Sequence, residues 1–233
     1  MQAVIPAAGR GSRMGALTST RPKGLVPVAG RPLIEYAMAA AVRLGADRLV
    51  VVTGYRGDEL RARLGATHAG RPIRYVEQPE RRGLADAVAK AGTALEGDFL
   101  LVNGDNVFGE GLDDGRRELF DDDGALLVEV ADRKTARRTG VVEVGGDHVV
   151  RAGERPEEPS TTLVTTGVYA LPAEAVHACH LVTPSDRGEC ELADAVDLLV
   201  RAGYRIRAVP FDGERVNVNT PADLTRADRL VDA

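Results

Sequence analysis

With 233 residues and 44 % apolar side chains, the chain is long enough to bury a substantial core. Its 35 acids and 30 bases are interspersed and leave a formal charge of −5, which excludes the Lys/Arg stripe that holds a nucleic-acid backbone. No apolar stretch approaches the roughly 20 residues that span a bilayer, and two cysteines, Cys179 and Cys190, without an N-terminal signal pattern point to a reduced cytoplasm rather than a disulfide scaffold.

Read from the N-terminus, short β-branched runs alternate with segments of helical period, as in a mostly parallel sheet flanked by helices. The expected strands are QAVIPA, RLVVVTG, IRYVEQ and DFLLVNGD. Between them, RPLIEYAMAAAVRLGA places Leu33, Ala37, Ala40, Ala41 and Leu44 on one helical face and ends at Gly45. GDELRARLGA and GLADAVAKAGTAL read the same way, so residues 1–123 are expected to form a doubly wound half. From residue 124 onward, GALLVEVAD, TGVVEVGGDHVVRAGE and TTLVTTGVYALP follow one another with only turns between them, which predicts hairpins or a mixed edge. A helix in CELADAVDLLVRAG, a strand in YRIRAVPF and a helix opened by Thr220 and Pro221 complete residues 124–233. Without a linker or repeat, the chain reads as one continuous domain. The acidic run Asp121 to Asp123 reads as a solvated turn.

The loop PAAGRGSRMG after the first strand carries the chemistry. A Walker loop would need a glycine five residues after Gly9, and a dinucleotide fingerprint would need a third glycine; Met14 stands at that place and defeats both. A plain strand-to-helix turn remains open. Arg10 and Arg13 within the loop, and Lys23 in TRPKGLVPVAGRP, nevertheless make a trap for a polyphosphate, Arg forking to oxygens and Lys acting as a point charge. Transfer chemistry also wants a carboxylate to hold a metal on the reacting phosphate, and Asp105 in NGDNVF lies where open α/β sheets place their ligands.

At this point the residues resemble the sugar nucleotidyltransferases, in particular the glucose-1-phosphate uridylyl- and thymidylyltransferases. The signature L-A-G-G-x-G-[ST]-R-[LM] followed by P-K is met by PAAGRGSRM and RPK, with Ala8 where a glycine is usual. The similarity continues in order through EQPERRGLADAV, GDNVF, TGVVEV, GERPEEPST, TTGVYAL, DRGECELADAVDLL and VNVNTPADL. It implies a Rossmann-like three-layer α/β/α fold with a mixed, mostly parallel central sheet. It further implies that Ala8, Gly9, Arg10, Gly11 and Ser12 wrap a nucleoside triphosphate, with Arg13 on the departing pyrophosphate and Lys23 at the α-phosphate. Gln78 and Gly83 would read the base, and Asp105 would hold Mg²⁺. Gly140, Glu154 and the Thr165, Thr166, Gly167 triplet would line the sugar site.

Three positions depart from the pattern. Arg155 stands where a lysine usually contacts the sugar phosphate, keeping charge but changing geometry. Asn217 replaces an aspartate that helps bind metal, offering an oxygen without a charge. Arg215 replaces a tryptophan. The implied reaction is attack of a sugar 1-phosphate on the α-phosphorus of UTP or dTTP, with pyrophosphate leaving. A cytidylyl- or guanylyltransferase, or a catalytically silent nucleotide-binding subunit, are the alternatives. The oligomeric state is left open, a homo-oligomer included.

His177, Cys179, His180 and Cys190 lack the spacing of the common structural zinc patterns, and their segment reads as an ordinary helix edge rather than a metal site. Glu189 and Glu191 read as an acid pair at a helix N-terminus, and His68 and His148 as surface residues. No hexapeptide repeats occur, so no acyltransferase unit is expected in this chain.

Overall fold

The β-branched runs of the N-terminal half form strands that hydrogen-bond side by side. The structure, a computed structural model, describes residues 1–114 and 116–232; Gly115 and Ala233, which fall within the one-domain expectation, lie outside the described residues. In chain order come β1 (Gln2–Ala7), a hairpin of β2 (Pro27–Val28) and β3 (Arg31–Pro32), α1 (Leu33–Arg43), β4 (Arg48–Thr53) and α2 (Gly57–Leu64). Then follow β5 (Thr67–His68), β6 (Arg71–Glu77), α3 (Leu84–Ala91), β7 (Phe99–Val102) and β8 (Asn106–Phe108). The second half holds β9 (Gly124–Val130), α4 (Arg133–Ala136), β10 (Gly140–Gly145), β11 (His148–Glu154) and β12 (Leu163–Leu171). It ends with α5 (Ala175–Leu181), α6 (Leu192–Arg201), β13 (Ile206–Pro210), β14 (Arg215–Asn217) and α7 (Pro221–Val231).

Among the described residues the main sheet has ten strands in the order β10-β11-β13-β9-β12-β7-β1-β4-β6-β5. β7, β1, β4 and β6 are parallel neighbours, as are β13 and β9, whereas β12, β11 and β5 run against them. The fold is thus a Rossmann-like α/β/α arrangement with a mixed sheet. Period-two alternation along β1 sends Val4 into one apolar layer, with α3, α5 and α6, and sends Ala3 and Ile5 into the other, with α1 and α2. The second half contributes more than an edge: β12 enters the sheet interior between β7 and β9, and only β10 and β11 make the expected hairpin.

The acidic run is a bend with Asp121 and Asp123 exposed, as a solvated turn would be, but Asp122 is drawn into a charge cluster. Asp122 accepts from Arg207 at 2.7 Å and faces His148 at 3.2 Å, while Asp123 accepts from the Arg205 backbone at 2.8 Å. The Arg207 guanidinium holds the Asp122 carboxyl below its ordinary value. His148, expected at the surface, is half-buried between Asp122 and Asp147. The reason is topological: the residues leading into β9 meet the hairpin and β13 at one end of the sheet, where charges scattered in sequence become neighbours.

Candidate active site

The phosphate loop leaves β1 at Ala7 and turns at Gly11, whose φ of +68° favours glycine. A Cβ there would come within 2.9 Å of the Lys23 side chain, so Gly11 is what lets the lysine stem lie against the loop. Met14 explains its own departure from the phosphate-loop motifs. It is 1 % exposed and packs with Val26, Val107, Val216 and Val218, fastening the loop to a small two-stranded sheet of β8 and β14 that the sequence did not announce. Gly9, Arg10, Gly11, Ser12, Arg13 and Lys23 line a cavity of about 540 Å³. Arg10 lies over the Tyr55 ring, 5.3 Å from its centroid. Ala8 is buried behind this wall, where its carbonyl accepts from the Tyr55 backbone at 3.2 Å.

Lys23 Nζ donates to Asp105 Oδ2 at 2.8 Å and to Asn219 Oδ1 at 3.0 Å. Arg13 donates to the same Asn219 oxygen at 3.0 Å, and Asn219 Nδ2 donates to Asn217 Oδ1. The backbone N–H of Val218 donates to the Asp105 carbonyl at 2.8 Å, which brings β14 and its Asn217 beside the carboxylate. Arg13, Lys23, Asp105 and Asn217 therefore converge although two hundred positions separate the first from the last. Asn219 was invisible to sequence reasoning, since nothing marks one asparagine of VNVNTP above the other.

A second cavity of about 690 Å³ opens beside the first, and Arg13, Leu84, Asn103, Asp105, Glu189 and Asn219 line both. Gly140, Glu154, Arg155, Thr166 and Gly167 line the second one. Gly140 has a structural reason: a Cβ there would lie 3.0 Å from Thr165 Oγ1 and 3.1 Å from Glu154 Oε2. Gly167, at a φ of +88°, sits where the β12–β9 register shifts, and a Cβ would come within 2.6 Å of Asn106 Nδ2 and 2.8 Å of Asn103 Nδ2. The Thr166 hydroxyl turns into the core and donates to the Leu127 carbonyl at 3.1 Å, leaving Thr166 its backbone to offer a ligand.

Burial pushes the Glu154 carboxyl up to about 7, with Glu191 adding to the rise and Arg155 opposing it. Arg155 Nε lies 3.1 Å from Glu154 Oε1. Glu191 is more than a helix-terminal acid: it is 6 % exposed, pairs with Arg187 at 2.7 Å and lines the same cavity. Arg215 also lines it, paired with Glu129 and donating to Asn106 Oδ1 at 2.8 Å.

Gln78 and Gly83 are not among the described residues that line either cavity, although Arg81 and Leu84 line the first. Gln78 is buried, and its NH₂ donates to the Gly83 carbonyl at 3.1 Å and to Asp86 at 2.6 Å, which pins the loop after β6. Cys179 and Cys190 are free and buried, and burial pushes the Cys179 thiol up to about 12. His68 lies half-buried in β5. No helix among the described residues is long and apolar enough to cross a membrane.

The sequence matches the nucleotidyl transferase family over residues 2–231. It is 41 % identical over 233 residues to the UTP–glucose-1-phosphate uridylyltransferase AglF of Haloferax volcanii, covering 98 % of this chain and 96 % of the relative. It is 32 % identical to a glucose-1-phosphate thymidylyltransferase of Streptomyces griseus, over 99 % of this chain and 66 % of that one. In fold, it superposes on a UDP-glucose pyrophosphorylase solved with UDP-glucose at a TM-score of 0.89 and 20 % identity, covering 99 % of this chain and 97 % of that one.

Proposed function

The chain belongs to the nucleotidyl transferase family, and from that premise we propose that it transfers UMP from UTP to glucose 1-phosphate, forming a nucleotide sugar and releasing pyrophosphate. The observation that carries this reading is the meeting of two cavities at Arg13, Asn103, Asp105 and Asn219, with Lys23 of the first cavity bonded to Asp105 and Asn219. One cavity is walled by a glycine-rich loop and cations, as a triphosphate requires. The other is walled by carboxylates, hydroxyls and several arginines, Arg155 among them, as a sugar phosphate requires. The uridylyltransferase relative at 41 % identity favours UTP over dTTP.

The reaction is in-line. A sugar 1-phosphate oxygen attacks the α-phosphorus, the bond from that phosphorus to its bridging oxygen breaks, and pyrophosphate carries the electron pair away. The nucleophile is already an anion, so no general base is needed, and the barrier lies in holding two polyanions together. Arg13 would take the departing phosphates and Lys23 the α-phosphate, placing positive charge where negative charge develops. Arg155 would hold the sugar phosphate, and Glu154 would accept from sugar hydroxyls once ionised.

Among the described residues no cluster of three or more His, Cys, Asp or Glu could cage a metal. One carboxylate at Asp105 and one amide oxygen at Asn217 instead suit Mg²⁺, which keeps waters and is usually shared with substrate phosphates. Those two residues would hold it, and bound there it would neutralise charge on the transferring phosphoryl group. Two free thiols fit a reducing cytoplasm. The test is a panel of UTP, dTTP, CTP and GTP against several sugar 1-phosphates with Mg²⁺, following pyrophosphate. UTP with glucose 1-phosphate is expected to give the highest kcat/KM, and no release from any pair would remove the catalytic reading.

A further inference from the structure

Asn219 sits at the boundary of the two cavities with both ends of its amide engaged. Its Oδ1 accepts from Arg13 Nη2 and from Lys23 Nζ, each at 3.0 Å, and its Nδ2 donates to Asn217 Oδ1 at 2.5 Å. An asparagine just before a helix usually serves as a cap, but that work is done elsewhere here. Thr220 caps α7 in a capping box with Asp223, and the Asn219 backbone N–H is taken by Asp223 Oδ2 at 3.1 Å. The side chain is free for another purpose.

Two cations that converge on one oxygen repel each other unless something holds them. Arg13 is exposed, and among the described residues Asn219 is the one side-chain partner it has. Lys23 is shared between Asn219 and Asp105, and without the amide it would settle on the carboxylate alone. We infer that Asn219 is a positioning residue that holds Arg13 and Lys23 side by side and in place for a nucleoside triphosphate. The amide oxygen is neutral, so it fixes the two cations without adding a second anion beside Asp105, and the ligand meets them already arranged. Through Nδ2 the same side chain orients the Asn217 oxygen beside Asp105. This assignment rests on the proposed use of the first cavity for a triphosphate.

The test is calorimetric binding of the non-reacting analogue α,β-methylene-UTP with Mg²⁺, and separately of glucose 1-phosphate, to the wild type, Asn219→Ala, Arg13→Ala and the double variant. Asn219→Ala is expected to weaken the nucleotide analogue about tenfold, as for loss of hydrogen bonds to charged groups, and to weaken glucose 1-phosphate clearly less. The two single losses should not add in the double variant, because one residue acts through the other. Asn219→Ser, which keeps one oxygen, should show an intermediate loss and decides the matter if the alanine variant does not fold. Wild-type affinity for the analogue in a folded Asn219 variant, or losses that simply add, overturns the assignment. A wild type that binds no analogue at all would instead contradict the proposed function.

Discussion

Lys23 Nζ lies 2.8 Å from Asp105 Oδ2, and with this ion pair a cation that follows the phosphate loop meets the carboxylate at the end of β7, from 82 positions away. The lysine side chain is 14 % exposed and the aspartate 28 %, so each charge is held near solvent and each can be turned toward a ligand. Asp105→Asn keeps the shape and removes the charge. It should lower kcat on the order of a hundredfold or more, as loss of a major electrostatic contact does, and raise the Mg²⁺ concentration for half-activity. Unchanged turnover in a Mg²⁺ titration would remove Asp105 from the metal site.

Gly167 and Gly9 should respond oppositely to alanine. At Gly167 the added Cβ meets Asn106 Nδ2 at 2.6 Å, and the backbone is left-handed. The strained backbone alone costs about 1–3 kcal/mol, so Gly167→Ala should lower Tm and weaken sugar-phosphate binding together. Gly9 has no atom within 4 Å of its added Cβ, and Gly9→Ala should stay within about 0.5 kcal/mol of the wild type in thermal or urea unfolding. Equal losses at both positions would contradict the steric account.

Glu154 gives a pH dependence with a defined sign. Its folded-state value of about 7 lies above the ordinary 4.5, so between those values the folded chain binds more protons than the unfolded one. Its contribution to stability therefore falls as pH rises from about 4.5 to about 7. Glu154→Gln should flatten that part of the stability profile. In the wild type, KM for the sugar phosphate should fall as pH rises through about 7, where the carboxylate becomes able to accept from hydroxyls. Arg155 holds the value down, so Arg155→Ala should move the midpoint upward as well as raise that KM. A midpoint unmoved by Arg155→Ala would separate the two residues.

Asp122 predicts the reverse sign at a place remote from the cavities. Its carboxyl is held below the usual value by Arg207, so its stabilising effect is present above the ordinary carboxylate range and is lost as pH falls. Asp122→Ala should lower Tm at pH 7 while kcat stays at the wild-type level, measured side by side. A fall in kcat without a fall in Tm would place Asp122 in the reaction instead.

What could be read from the sequence follows from how local each signal was. β1, α1, β4 and, β14 aside, the strands of the second half carry their periodicity in consecutive residues and appear where expected. Arg13 and Lys23 were singled out by charge beside glycine and proline, and Asp105 by its place beyond an apolar strand; the structure brings the three side chains together. Asn219 and Glu191 were missed because their meaning lies in partners far along the chain, Arg13 for one and the Glu154 cavity for the other. Asp122 misled for the same reason, since its partner Arg207 is 85 positions away. β12 was recognised as a strand, but its insertion between β7 and β9 is decided by sheet topology rather than by its own residues.

Nucleotidyl transfer across the two joined cavities would change every phosphorus in the mixture. Phosphorus NMR of the protein with UTP, glucose 1-phosphate and Mg²⁺ tests it directly, because it follows every phosphorus at once. The account predicts loss of the UTP and sugar-phosphate signals with equal growth of a nucleotide-sugar diphosphate and pyrophosphate, and none of this in Asp105→Asn. Inorganic phosphate appearing from UTP while the glucose 1-phosphate signal stays constant would contradict it.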